Sequence, residues 1–346
     1  MSPPHSNLPT ANSDVDYPQR SVEPMDPRIT SIQPGGGFVM QLELAWGGIR
    51  RACLRLFRRG YLRQMEALRQ GDRNPCPHPV LDPRDLKFYR NQPGWHWKPE
   101  DDPFRWRDRI PFARAGLAEL LFFSVLFFGS AGLLAWLASS RGDTGVGGVA
   151  LWLLVDALLV IGALIVWFFR DPERPIPTDP NLVVSPADGT VSSIDEIPHD
   201  EFIGGPAVQV GLFLSIFNVH INRSPAASRV IGLSYRKGKF LNALRPESAR
   251  ENEQLAIHLQ GTTAPGRPMI VRQIAGAIAR RIVCWLKPGD ELAAGERVGM
   301  IKLGSRTEIV LPQEEGLEVL VSIGQKLKAG SSVVARYASC KDRTGE

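Results

Sequence analysis

Cysteine is scarce in this chain: there are four in 346 residues, at positions 53, 76, 284 and 340, with no CxxC pair among them. That scarcity excludes a zinc ribbon and a dense cystine scaffold, and leaves the four as reduced thiols. Histidine is little more abundant, with six in all. His78 with Cys76, and His96 between Trp95 and Trp97, lack the companions that a coordination sphere needs, so they read as structural and no metal is expected. A strong charge of either sign is also missing, because 41 Lys and Arg against 36 Asp and Glu leave a net charge of +5. With a pI near 9.1, that modest excess fits either nucleic acid or an anionic membrane surface. Apolar residues make up 43% of positions, enough to bury one or two cores. The mean hydropathy of -0.11 averages over two very apolar blocks, and these decide between the two partners.

Leu117 to Ala138 reads LAELLFFSVLFFGSAGLLAWLA, and Val146 to Phe169 reads VGGVALWLLVDALLVIGALIVWFF. Each is long enough to cross roughly 30 Å of hydrocarbon as a helix, so a two-helix transmembrane hairpin is expected, with a buried hairpin of a soluble protein as the alternative. Glu119 falls near the start of the first block, where an interfacial position is tolerable. Asp156 falls near the middle of the second and is expected to turn toward the other helix as a helix-pair contact. The intervening SSRGDTG is nearly neutral, whereas Lys98, Arg105, Arg107, Arg109 and Arg114 precede the hairpin and Arg170 and Arg174 follow it. The positive-inside rule then puts the N-terminus and the domain after the hairpin on the cytoplasmic side of a cell membrane. More than a hundred residues precede the first block, which argues against a signal peptide. Nucleic acid is not expected beside such an anchor.

Residues 1–35 are rich in Pro, Ser and Asn with little periodic apolar content, and they read as a disordered leader. Residues 36–116 form a basic, partly amphipathic extension. Within it Ile49, Cys53, Leu56, Phe57, Tyr61, Met65 and Leu68 recur at helical spacing, flanked by Arg50, Arg51, Arg55, Arg58, Arg59 and Arg63. Such a helix suits anionic lipid headgroups, or else packs on its own domain or a partner.

From residue 170 to 346 the character changes. FFRDPERPIP ends the second helix with prolines, and short Val- and Ile-rich runs then alternate with Gly, Pro and Asp turns, which predicts a mainly β domain. A pattern GxxLxxGxxV occurs at Gly289, Leu292, Gly295 and Val298 and again 35 positions on at Gly324, Leu327, Gly330 and Val333. Two strands joined through glycine-permitted turns, with Leu and Val turned into a shared core, resemble the sandwich hairpins of lipoyl and biotinyl domains. Neither copy carries the exposed-turn lysine that such carriers modify.

Three residues of this domain bear chemistry. Asp188 sits at a strand-turn-strand junction in VVSPADGTV, His220 in GLFLSIFNVHINRSP, and Ser305 in MIKLGSRTEIVLP. Alone, each reads as an ordinary turn aspartate, a satisfied strand histidine and a chance Gly-Ser step. Together they are the parts of an activated serine. A tethered serine hydrolase would use the same three, but the domain has no GxSxG elbow. A catalytically silent, membrane-anchored scaffold with a lipoyl-like domain is the alternative of a different class. His258, in LAIHLQG, has strand periodicity and reads as structural.

The strings FFRDPERPIP, SPADGTV, FNVHINRSP, ENE at 251–253, the run from Ile274 to Pro312 and GQKLKAGSSVVA occur in order between about Leu151 and Ala335. In this they resemble phosphatidylserine decarboxylase proenzymes of the short, archaeal-like kind, with the family's LGS-type processing site at Leu303, Gly304 and Ser305. The resemblance implies that Ser305 attacks the carbonyl of Gly304, with His220 as base and Asp188 orienting it. Elimination from the resulting ester then leaves a pyruvoyl group in place of Ser305. Cleavage would give a β chain of residues 1–304 and an α chain of residues 305–346 that stay associated, and a homo-oligomer is compatible with this. The pyruvoyl ketone would form a Schiff base with phosphatidylserine drawn from the bilayer and yield phosphatidylethanolamine, with no metal or diffusible cofactor. Longer members carry a second histidine just before the first, where SIFNVH has Phe217 and Asn218, so the group that protonates the decarboxylated intermediate is left open. Asn222 and Arg223 follow His220 closely and are candidate substrate contacts, since an arginine there can meet a lipid phosphate.

Overall fold

The computed structural model describes residues 17–36, 38–76, 78–88, 96–142, 145–243, 245, 247–277, 281–302 and 304–338. Trp95, Leu303 and Cys340 lie outside them. The chain forms two compact units, one of Met1–Arg105, Arg174–Ser215 and His220–Glu346, the other of Trp106–Glu173 and Ile216–Val219.

The first unit is mainly β. Its strands are β1 (Leu182–Val184), β2 (Gly189–Asp200), β3 (Gly205–Leu214), β4 (Ile221–Arg223), β5 (Ser228–Arg236), β6 (Gln254–Gly261), β7 (Pro268–Ile274), β8 (Arg281–Cys284), β9 (Glu291–Leu292), β10 (Arg297–Lys302), β11 (Ser305–Pro312), β12 (Leu317–Val319), β13 (Lys326–Leu327) and β14 (Val333–Tyr337). Eight of them form a curled sheet in the order β13-β2-β3-β11-β7-β6-β5-β9, and two three-stranded sheets, β1-β14-β12 and β4-β10-β8, complete the unit. Alternation along the strands explains the core. Val210, Leu212 and Leu214 of β3, Leu255, Ile257 and Leu259 of β6, and Ile309 and Leu311 of β11 are fully buried in one cluster, as a period of two requires of strands with one face inward.

The repeated glycine pattern builds the two edges of the large sheet. Leu327 of β13 pairs with Gly189 of β2, and Leu292 of β9 pairs with Ser228 of β5. The Gly324 N–H donates to the Val191 carbonyl at 2.8 Å and the Gly289 N–H to the Val230 carbonyl at 2.7 Å. SPADGTV and SPAASRV thus fill equivalent places, and the Ser185 and Ser224 hydroxyls donate to the Ala187 and Ala226 carbonyls at 2.7 Å each. Asp188 has Ala227 as its counterpart, so only one half of this pseudo-repeat carries an acid. Leu292, Leu327 and Val298 enter the core as expected. Val333 is only half-buried, because a register irregularity between Val183 and Val184 gives the core place to Val334.

Residues 17–35 correct the expectation of a disordered leader; residues 1–16 lie outside the described ones. The segment has no regular secondary structure, but it lies as a strap on the β unit with Met25 and Ile29 buried in its core. Backbone bonds hold it: the Tyr17 N–H donates to Pro265, the Glu23 N–H to Ile231, and the Cys284 N–H to the Ile32 carbonyl. Glu23 also lies 3.5 Å from Nδ1 of His258, whose ring stacks on Phe202 at 4.3 Å. The extension continues as α1 (Phe38–Phe57) and α2 (Arg59–Ala67). Arg50 pairs with Asp82 and Asp85, while Trp46, Ile49, Leu56 and Phe57 stay exposed.

In the second unit, α3 (Leu117–Arg141) and α4 (Val146–Phe168) are long and apolar enough to cross a membrane. Of the four buried residues of α4, Gly148, Val155 and Gly162 follow a seven-residue spacing that keeps one stripe inward, and Phe168 closes the helix. A Cβ on Gly162 would come within 2.8 Å of the Phe128 ring, so glycine there sets how closely the helices approach. Asp156 is exposed, which overturns the helix-pair contact expected of it: one residue beyond Val155 is a turn of about 100° away from that stripe.

Candidate active site

The register of three strands brings the candidate residues to one end of β3. Ser305, the first residue of β11, lies opposite Leu214. On the other flank of β3, Thr190 lies opposite Phe213, and a Cβ on Gly189 would meet the Phe213 carbonyl. Asp188 and Ser305 therefore reach the end of β3 from its two sides, two strand spacings or about 10 Å apart along the sheet. His220 follows the turn after β3, and its carbonyl accepts from the Ile301 N–H at 3.2 Å, four residues before Ser305. Ser305 and His220 are fully buried and Asp188 nearly so.

Each is held differently. The Asp188 carboxylate accepts from Arg174 Nη2 at 2.9 and 3.1 Å and from the Ala329 N–H at 2.8 Å, so its position is fixed by one guanidinium and one backbone amide. Ser305 Oγ is buried and has no hydrogen-bond partner among the described residues. An unmade hydrogen bond of that kind costs about 1–3 kcal/mol, so natural proteins retain one where it has a use. Gly304, just before it, has φ 59°, a left-handed conformation that favours glycine. Gly276 packs against the carbonyl of Gly304 so closely that a Cβ there would collide with its oxygen.

A buried polar chain lies on the same face. The Gln273 amide donates to Asn222 Oδ1 at 2.8 Å, and Asn222 Nδ2 donates to Thr307 Oγ1 at 3.1 Å. Thr307, two residues along β11 from Ser305, shares its face. Arg223 is also buried, and its Nη1 donates to the Gly295 carbonyl at 3.0 Å. The structure thus engages both candidate substrate contacts, Asn222 and Arg223, inside the fold. Phe217, three positions before His220, is exposed; its carbonyl accepts from Trp167 Nε1 at 3.3 Å and Arg170 Nη2 at 2.7 Å, within the helical unit.

Sequence reasoning missed Arg174 and Gly276. Arg174 counted only as a charge flanking the hairpin, and no periodicity links it to a carboxylate fourteen residues on across a proline-rich turn. Gly276 lies among many glycines, and only its approach to Gly304 distinguishes it.

A sequence model described as phosphatidylserine decarboxylase matches residues 161–335, just over half of the chain and all of these site residues. The chain belongs to the phosphatidylserine decarboxylase family. Among curated relatives, a phosphatidylserine decarboxylase proenzyme of Rhodopirellula baltica is 46% identical over 252 residues, 73% of this chain and 99% of the relative. One of Desulfotalea psychrophila is 39% identical over 228 residues, 66% of this chain and 97% of the relative. A phosphatidylserine decarboxylase fold thus carries the Gly304–Ser305 step at the end of the β3–β11 strand pair, with Asp188 and His220 at the same end.

Proposed function

We propose that this phosphatidylserine decarboxylase matures by cutting its own Gly304–Ser305 peptide and acts on phosphatidylserine presented by the bilayer that its apolar hairpin crosses. The observation that carries the reading is the buried Ser305 hydroxyl, without a hydrogen-bond partner among the described residues, directly after a left-handed glycine. His220 takes the hydroxyl proton, and Ser305 Oγ adds to the Gly304 carbonyl carbon. Asp188, fixed by Arg174 and the Ala329 amide, orients the imidazole. Collapse with cleavage of the C–N bond moves the acyl group from nitrogen to oxygen. Removal of the α proton of residue 305 then expels the Gly304 carboxylate and leaves a dehydroalanine, and water releases ammonia from its imine tautomer to leave a ketone.

The residues present fit formation of such a group: the hydroxyl that would attack makes no competing bond among the described residues, and no side chain on Gly304 or Gly276 blocks the attacked carbonyl. Once formed, a pyruvoyl ketone supplies an electron sink for an amine substrate. The chain's own contribution is a site closed to bulk water, with the Gln273–Asn222–Thr307 hydrogen bonds beside it. Arginine and lysine on both flanks of the hairpin support a cytoplasmic site, and the exposed Trp46, Ile49, Leu56 and Phe57 of α1, beside Arg55 and Arg59, suit an anionic lipid surface. The test is Ser305→Ala: the purified wild type should run as two chains and the variant as one, with phosphatidylethanolamine formed only by the wild type. A wild type that stays whole while active, or a variant that is still cut, would refute the reading.

A further inference from the structure

Beside Ser305 lies a buried acceptor that self-cleavage does not use. Gln273, on β7, is fully buried, and its Oε1 has no hydrogen-bond partner among the described residues. The other end of its amide is committed. Nε2 donates to Asn222 Oδ1 at 2.8 Å and faces the Val283 carbonyl at 3.5 Å. Asn222 is oriented in turn by its Nδ2, which donates to Thr307 Oγ1 at 3.1 Å and faces the Pro186 carbonyl at 3.5 Å. Exchanging oxygen and nitrogen in Gln273 would set its oxygen against those of Asn222 and Val283, so the atom left over is an acceptor that cannot donate.

Strand register places that acceptor near residue 305. Gln273 lies directly opposite Thr307 of β11, and Ser305 is two residues along β11 on the same face. Gln273 is thus the diagonal neighbour of Ser305 across the strand pair, about 7–8 Å away and within reach of a long side chain. A buried acceptor without a donor costs stability, and natural proteins retain one where it has a use. Donation through Nε2 also polarises the amide and strengthens Oε1 as an acceptor. What reaches residue 305 in the proposed reaction is a primary amine, whose ammonium form carries three N–H donors.

We propose that Gln273 Oε1 is the acceptor that docks the substrate amine: it takes one N–H of the phosphatidylserine ammonium and holds the nitrogen beside residue 305, while Asn222 and Thr307 hold the amide in place. The inference rests on the reading that residue 305 of the processed chain carries the ketone. It assigns Gln273 to recognition of the substrate and not to self-cleavage.

The test uses the full chain, purified after self-cleavage, in detergent micelles containing phosphatidylserine. Cyanoborohydride joins the lipid amine to a ketone at residue 305, and the intact mass of the C-terminal fragment reads the adduct. A hydrazide, which needs no docked ammonium, counts the ketone itself. Gln273→Met, of similar length but without the amide oxygen, should self-cleave and take the hydrazide as the wild type does. It should need about ten- to a hundredfold more phosphatidylserine for half-maximal adduct. Gln273→Glu keeps an acceptor oxygen and should recover most of that loss. Gln273→Met with a wild-type half-maximal concentration overturns the proposal, as does Gln273→Glu that is no better than Gln273→Met. Failure of either variant to self-cleave would assign Gln273 to processing and overturn it as well. A wild-type fragment that takes no hydrazide would instead remove the pyruvoyl reading, and the proposal with it.

Discussion

Arg174 holds Asp188 through one guanidinium nitrogen that lies within 3.1 Å of both carboxylate oxygens, and that contact makes its own prediction. Bonds between charged groups contribute about 1.5–3 kcal/mol, and each 1.4 kcal/mol of barrier is a factor of ten in rate. Arg174→Gln should therefore slow self-cleavage about ten- to a hundredfold in a pulse-chase measurement, and an unchanged rate would show that Asp188 is positioned by other means. Glu253 yields a prediction about pH. Burial, opposed by the Tyr235 hydrogen bond and by Lys237, raises its pKa above the ordinary 4.5. As pH rises through 4.5 the unfolded chain ionises first, so the stability of the folded, protonated form falls until the folded group ionises too. Glu253→Gln escapes that loss, and its Tm relative to wild type should rise between pH 4 and pH 7. A difference that stays flat across this range would contradict the assignment.

At the scale of elements, glycine placement decides whether the processing peptide can take its shape. A Cβ at position 276 would strike the Gly304 carbonyl, so Gly276→Ala should leave a folded but largely uncut chain, seen as an undiminished thermal transition beside a single band. Efficient cutting of that variant would mean that the carbonyl moves freely. Much at this scale was legible in sequence. The two helices followed from uninterrupted hydropathy, and the paired GxxLxxGxxV segments followed from spacing, because glycines with φ of 92° and 89° at 289 and 324 leave a visible mark. The direction of Asp156 was less legible, since it depends on which stripe of α4 meets α3, although Gly148 and Gly162, two seven-residue steps apart, carried that information. Asp188, His220 and Ser305 stood out as the parts of an activated serine, and family motifs gave them their roles. Their convergence on the end of β3 depends on strand order, which no local pattern encodes.

For the whole molecule, the unexpected feature is the strap. Met25 and Ile29 are buried in the core, yet they belong to an aperiodic stretch whose backbone bonds go to distant residues such as Ile231 and Cys284. Periodicity reports regular elements only, and a strap held by long-range bonds has none. Ile29→Ala should cost about 2–5 kcal/mol by opening a cavity, lowering the midpoint of thermal unfolding of the β unit. A shift within error of zero would show that the strap merely rests on the surface. The central claim, that Ser305 becomes the working group of the enzyme, is tested most directly by the intact mass of the C-terminal fragment of the active protein. The account predicts a fragment starting at residue 305 whose first residue has lost its amine, carries a ketone and reacts with a hydrazide. A fragment starting with an ordinary serine, or an uncut chain with full decarboxylase activity, would contradict it.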